Sequence, residues 1–343
     1  MLLNLPNPSA QLSPAMNQPK DTLQMIFQEL FPPLSLPITP PLYLDRYASP
    51  HFPGRILSVI TLCRSWYLAG LSTLYRGIQI VALKQLLTLL DILDKPDSHY
   101  RFWVQSIEFH VTFPDDSESF TSLFAAPFKR MSQICPNIRS LSFNAEDDIL
   151  RTFPWQFGNI HLLQTCYSLT HLHISNVGSF SGLVKALRHV SARIASLSIT
   201  TYGPDIPVGD DHEPAINGSP LILSCLHTLS ITPSGNLMES VLKWELPLLE
   251  RLVLSKTRWF EVDYRTCKAF FEKFCQRLKT LELHPDNFYA QEFGSVPWLW
   301  YGKILRRVPA LEHLVVHHYG SWHFPYKSYS HPNIKWIDIR EEQ

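Results

Sequence analysis

Ser196-Leu197-Ser198-Ile199-Thr200 places two aliphatic side chains one position apart and interleaves them with small polar ones. A strand sends successive side chains to opposite faces, so this phrase has one apolar face and one polar face. Equivalent phrases centre on Ile107/Phe109, Leu141/Phe143, Leu172/Ile174, Leu229/Ile231, Leu252/Leu254, Leu281/Leu283, Leu314/Val316 and Ile337/Ile339. Their second faces carry residues such as Glu108 and His110, Ser142 and Asn144, His171 and His173, Thr228 and Ser230, Glu282 and His284, and His313 and His317. That face is polar in almost every repeat.

Successive phrases are separated by roughly 23 to 34 residues, and the intervals carry helix-period patterns, which is the strand-plus-helix unit of an irregular leucine-rich solenoid. Phe180, Leu183, Val184 and Leu187 share one side of a helix, as do Cys267, Phe270, Phe271 and Phe274, and Tyr301, Ile304, Leu305 and Val308. The predicted fold class is α/β: a one-sided parallel sheet with helices on its convex side, preceded by a small helical module. Doubly wound sheets and closed (β/α) barrels are covered on both faces and read as near-continuous Val, Ile and Leu. These strands do not, so the pattern predicts an open arc whose Ser, Thr, His and charged residues face water.

Lys plus Arg number 30 and Asp plus Glu number 30, so there is no basic field to draw nucleic acid. The cysteines at 63, 135, 166, 225, 267 and 275 show neither a bridge framework nor zinc-ligand spacing. They read as reduced residues packed as small hydrophobes in an intracellular protein. Met1 to Pro19 has no basic start and no long apolar run, and no stretch has the length of a membrane span. The expected residence is cytoplasmic or nuclear, with no membrane partner and no cofactor.

The chain changes character before the first phrase. Residues 1–17 read as a disordered leader, 18–80 as a helical module and 81–343 as the solenoid. Leu23, Ile26, Phe27 and Leu30 make one stripe of a short helix that Pro19 can open. Seven prolines between Pro32 and Pro53 then mark a loop insertion over about 31–54. A second helical stretch carries Ile56, Val59, Ile60, Cys63, Trp66 and Tyr67, a third short piece carries Leu71, Leu74 and Tyr75, and Gly77 to Val81 alternates as an entering strand.

Leu62-Cys63-Arg64-Ser65-Trp66, followed by Leu74-Tyr75-Arg76 and a strand, resembles the second half of an F-box as found in fungal F-box proteins with leucine-rich repeats. Gln18-Pro19, Asp21, Leu23 and Ile26-Phe27 resemble its opening helix, with Gln18 where the family usually has leucine. The resemblance implies a module that docks on a Skp-family adaptor and, through it, a cullin. It also implies repeats that hold a protein substrate for ubiquitin transfer by other subunits. Pro19, Leu23, Ile26, Phe27, Val59 and Leu62 are the candidate adaptor-binding residues. A module of about forty ordered residues buries little alone, so surplus apolar surface is expected to meet a partner. Trp66 and Tyr75 read instead as locks between module and array.

Catalytic chemistry finds little support. His171 and His173, one apart on a strand, point the same way and could share a metal, with His313, His317 and His318 on or beside the same predicted face, yet no third ligand of fixed spacing and no His-Glu-x-x-His completes a set. Gly178-Ser179-Phe180-Ser181-Gly182 misplaces its serine for a nucleophile elbow and reads as a helix cap. The chain is expected to be no enzyme and to bind no metal.

The polar strand faces and adjoining loops are the default binding surface of a solenoid. Candidate substrate contacts are His171, His173, Arg251, Trp259, His284, His317, Tyr319 and Trp322. Tyr202 to Pro220 is an acidic Gly- and Pro-rich insertion, read either as a flap or as a solvated spacer. Aromatic residues crowd toward the carboxyl end, Trp298 and Trp300 among them, as a capping repeat or an interface would have them. The alternative function is a non-catalytic leucine-rich-repeat scaffold that binds no Skp adaptor; a barrel hydrolase would need a closed shape and paired acid and base residues at strand ends.

Overall fold

A computed structural model of the chain describes residues 22, 64–110, 117–144, 163–175, 180–200, 220–257, 264–285, 305–319 and 331–342. Ten strands form one sheet in chain order. They are β1 (Gly77–Ile80), β2 (Ser106–Phe109), β3 (Ser140–Phe143), β4 (His171–Ser175), β5 (Ser196–Thr200), β6 (Thr228–Ile231), β7 (Arg251–Thr257), β8 (Thr280–Pro285), β9 (His313–Tyr319) and β10 (Trp336–Glu342). All neighbours pair in parallel, as crossover connections require. All nine repeated phrases and the entering strand are therefore strands of one sheet.

Register follows the sequence phrase for phrase. Leu172 pairs with Leu197, Ile174 with Ile199, and Leu281 with Leu314, so the apolar residues stack in straight rows. A turn of common form precedes the strands. The amides of Leu169, Leu226, Leu278 and Leu311 donate to the carbonyls three residues back, on Cys166, Leu223, Cys275 and Val308. Next, one carbonyl of the preceding repeat accepts two successive amides. Thr170 and His171 share Arg139, Ala195 and Ser196 share Thr170, and Lys279 and Thr280 share Glu250. This doubled acceptor pins the first residue of each strand, so a slip of one residue would cost backbone bonds as well as exposing the apolar row.

Helices cover the apolar face: α1 (Arg64–Arg76), α2 (Leu83–Leu93), α3 (Ser117–Ile134), α4 (Phe180–Val190), α5 (Gly235–Leu242) and α6 (Tyr264–Phe274). Leu183 and Leu187 of α4, and Cys267, Phe270, Phe271 and Phe274 of α6, are buried in one core with the apolar strand rows. Beneath α3 four rings interlock, with Phe109 stacked on Phe143 at 5.2 Å and edge-on to Phe124 at 5.4 Å, and Phe128 set against both Phe109 and Phe143. Leu305 and Val308 are buried as the third helical pattern requires, whereas Tyr301 and Ile304 lie outside the described residues. Cys135, Cys166, Cys267 and Cys275 are buried, as expected of core residues, whereas Cys225 is half-buried; Cys63 lies outside the described residues.

Two expectations need correction. The second and third amino-terminal helical pieces are joined over their described part, because α1 runs unbroken through Trp66, Tyr67, Leu71, Leu74 and Tyr75. No proline interrupts it, and Gly70 at its middle is buried. The second correction concerns the polar face, which is not in water along its centre. Ser142, Asn144, His173, Ser175, Ser198, Thr200, Ser230, Thr232, Ser255, Glu282, His284 and His317 are all buried. Parallel register sets each of these residues beside the equivalent position of the next strand at about 4.8 Å, so short side chains flank and screen one another. Some of them bond sideways: Thr232 bonds Ser255 at 3.1 Å and Ser175 donates to the Phe143 carbonyl at 3.0 Å, and the half-buried Ser106 likewise donates to Ser140 at 3.3 Å, whereas the Thr200 and Ser230 hydroxyls are buried with no hydrogen-bond partner among the described residues.

The amino-terminal module at 18–63, its insertion, the leader, most of the acidic insertion, and Trp298 and Trp300 lie outside the described residues, apart from an isolated helical Thr22. No helix among the described residues is long and apolar enough to cross a membrane.

Candidate functional site

Exposure on the polar face falls along the strands from β3 to β9. The first positions, Ser106, Ser140, His171, Ser196, Thr228, Arg251, Thr280 and His313, form a half-buried row across the sheet. Deeper positions, buried from β3 to β9 and half-buried at Glu108 and His110, gather into two polar clusters. The first spans β2 to β5. Asn144 donates to Glu108 Oε1 at 2.6 Å, His110 Nε2 lies 2.8 Å from the same oxygen, and His173 Nδ1 bonds Ser198 Oγ at 2.8 Å. Burial drives the His173 imidazole down to about 4; Glu108 opposes that shift and His110 adds to it. His171 is also lowered, first by burial, with the Arg139 backbone bond opposing.

The second cluster is centred on Glu282 in β8. Its side chain is 0% exposed, and parallel register sets it between Val253 of β7 and Val315 of β9. Those valines are apolar positions on a largely polar face, and here they are dry walls, both fully buried. Glu282 Oε1 lies 3.1 Å from His284 Nε2 and 2.9 Å from His317 Nε2, while Oε2 accepts from Arg251 Nη2 at 2.6 Å. Arg340 Nη1 of β10 stands 3.7 Å from Oε1. The two imidazoles stack with centroids 3.4 Å apart, because the register that pairs Leu283 with Val316 carries His284 to the side of His317. Burial alone would raise the Glu282 carboxyl, but hydrogen bonds from His284, His317 and Arg251 outweigh it and hold the group well below the usual carboxylate range. Glu282 is therefore a buried anion held by two rings and a guanidinium from three strands.

Glu282, His284 and His317 also make up the one group of His, Cys, Asp or Glu among the described residues with the spacing to hold a metal ion, their ligand atoms all within 4.8 Å of one another. Comparison with protein-family models finds no match, and no curated protein matches. Sixteen chains of solved structures are similar, two of them as follows. One is the leucine-rich repeat-containing protein LegL7 from Legionella pneumophila, at 12% identity and TM-score 0.43, covering 78% of this chain and 91% of that one. The other is a protein from Bacteroides fragilis, at 13% identity and TM-score 0.40, covering 78% of this chain and 75% of that one. The fold assignment rests on the strand order and register given above rather than on these likenesses.

Of the expected substrate contacts, Arg251, His284 and His317 converge on one carboxylate, and His173 belongs to the other cluster. His173, His284 and His317 have 4, 1 and 5% of their surface exposed. In this arrangement their nitrogens serve the sheet itself, and a protein partner would not reach them. His171 and Arg251 stand in the half-buried first row, where it could. Tyr319 ends β9, paired with Glu342, and Trp259 and Trp322 lie outside the described residues. So do the adaptor candidates Pro19, Leu23, Ile26, Phe27, Val59 and Leu62. Glu282 was missing from the expected contacts. Its signal was the pair of valines that register places on either side of it.

Proposed function

We propose that the chain is a non-catalytic protein-recognition solenoid serving as the substrate-recognition subunit of a cullin-type ubiquitin ligase. Residues 18–76 would dock a Skp-family adaptor, and the first-row residues with the loops beside them would hold the protein substrate. The observation that carries this reading is the junction. Helix α1 runs straight into β1, Tyr75 stacks on Tyr100 at 4.7 Å, Arg76 Nε donates to Gln105 at 3.1 Å, and the Gln105 amide returns to the Arg76 carbonyl at 3.0 Å. A receptor that presents a substrate to separate catalytic subunits needs its two binding ends fixed to each other, and the tie between α1 and the first repeat supports that reading. The Tyr75–Tyr100 stack supports the reading of Tyr75 as a lock between module and array.

The test is retention of the full chain by purified Skp adaptor, alongside a variant carrying Leu23→Ala, Ile26→Ala and Phe27→Ala. Retention that the triple substitution abolishes supports the reading. No retention, where a control F-box protein is held, leaves the scaffold alternative, in which the amino-terminal helices only cap the array. For the substrate end, the double substitution Trp259→Ala with Trp322→Ala is expected to weaken partner capture while leaving the melting temperature in place.

A further inference from the structure

We propose that Glu282, His284 and His317 form a binding site for one zinc-class divalent ion that clamps the last repeats of the sheet. Two imidazoles and one carboxylate are the His2Glu donor set that holds zinc while leaving one position open. Around a tetrahedral ion with bonds of about 2.0–2.1 Å, ligand atoms stand about 3.4 Å apart. Here the two Nε2 atoms lie 3.1 and 2.9 Å from Oε1 and all three ligand atoms stand within 4.8 Å of one another, so side-chain adjustment without a change of backbone register would admit an ion.

The surroundings are those of a built site. Val253 and Val315 exclude water on both sides of the carboxylate. Arg251 holds the second oxygen, Oε2, and so fixes the direction in which Oε1 points, the orienting role that outer partners play around metal ligands. Without an ion each Nε2 carries a hydrogen toward Oε1. On binding, each neutral ring carries its hydrogen on Nδ1 instead and offers the Nε2 lone pair, so no oxidant and no net proton is required. Arg340 is the competitor: its guanidinium lies 3.7 Å from Oε1, its side chain is 48% exposed, and it can swing into water when a cation arrives. The site takes one residue pair from β8 and one residue from β9, so an occupied site would join these strands by coordination as well as by backbone bonds.

The experiment loads the full chain with Zn2+ or Co2+ alone. X-ray absorption of the bound ion is expected to show two imidazole nitrogens and a carboxylate oxygen in a four-coordinate shell, with about one ion per chain and a melting temperature that rises with ion concentration. A six-coordinate all-oxygen shell, or no rise in melting temperature, overturns the proposal. His317→Gln should lower affinity by about a hundredfold or more, and unchanged affinity in a folded variant is contrary. Arg340→Ala lies on an exposed strand and tests the site without disturbing the core. It should tighten binding by about tenfold as the competing charge is removed, and affinity equal to that of the parent chain would overturn the assignment.

Discussion

His173 shows how a polar residue can be both part of the fold and a liability. It is buried against Ser198, with Glu108 and His110 as the charged or titratable groups acting on it, and its pKa is about 4, against 6.5 for a free imidazole. Between these values the unfolded chain takes up a proton that the folded chain refuses. Stability is thus fully present above about pH 6.5 and falls as the pH drops toward 4, by an amount on the order of 3 kcal/mol. Chemical denaturation measured across that window should show the loss, and His173→Gln should flatten it; an unchanged slope in the variant would assign the effect elsewhere. Phe128, fully buried against Phe109 and Phe143, marks the apolar counterpart. Phe128→Ala is expected to cost about 3–5 kcal/mol in urea unfolding through the cavity it leaves.

Among elements, the strands were the most legible, because a period of two with Leu or Ile at fixed offsets is hard to produce by any other structure. Helix α1 was read as two pieces because Gly70 weakens the local helical pattern, and packing overrides that weakness once the residue is buried. The burial of the inner face was not legible at all. It depends on which residues of neighbouring repeats stand side by side, and linkers of varying length hide that register until the strands are paired. His317 reaches Glu282 from 35 residues away, so no local spacing could have announced the cluster. Another cross-repeat feature is a row of alternating charge beside the strands: Lys279 bonds Glu250 at 2.7 Å and feels Glu312, which pairs with Lys335 at 3.0 Å. Lys279→Glu would set three carboxylates in line. The melting temperature should fall at low salt and recover in part at high salt, since exposed charges are screened. A salt-independent change would show that the row acts through packing.

For the molecule as a whole, the sheet of the described residues runs from β1 to β10, which do not pair with each other. The last strand keeps Trp336, Ile337 and Ile339 exposed, at 68, 44 and 46%. Burial of the deep polar positions moves the proposed recognition from the strand faces to the first-row residues and the loops, while the open order of the strands is retained. A closed barrel built from the same phrases would bring the first and last strands together; a linear array of ten strands separates them by nine steps of about 4.8 Å, or about 43 Å if straight. Gln79 of β1 and Asp338 of β10 are both exposed and can carry spin labels. The distance between labels on these two residues, read by pulsed electron resonance, is expected to exceed about 25 Å even if the array bends; a separation of one or two strand spacings would contradict the open solenoid.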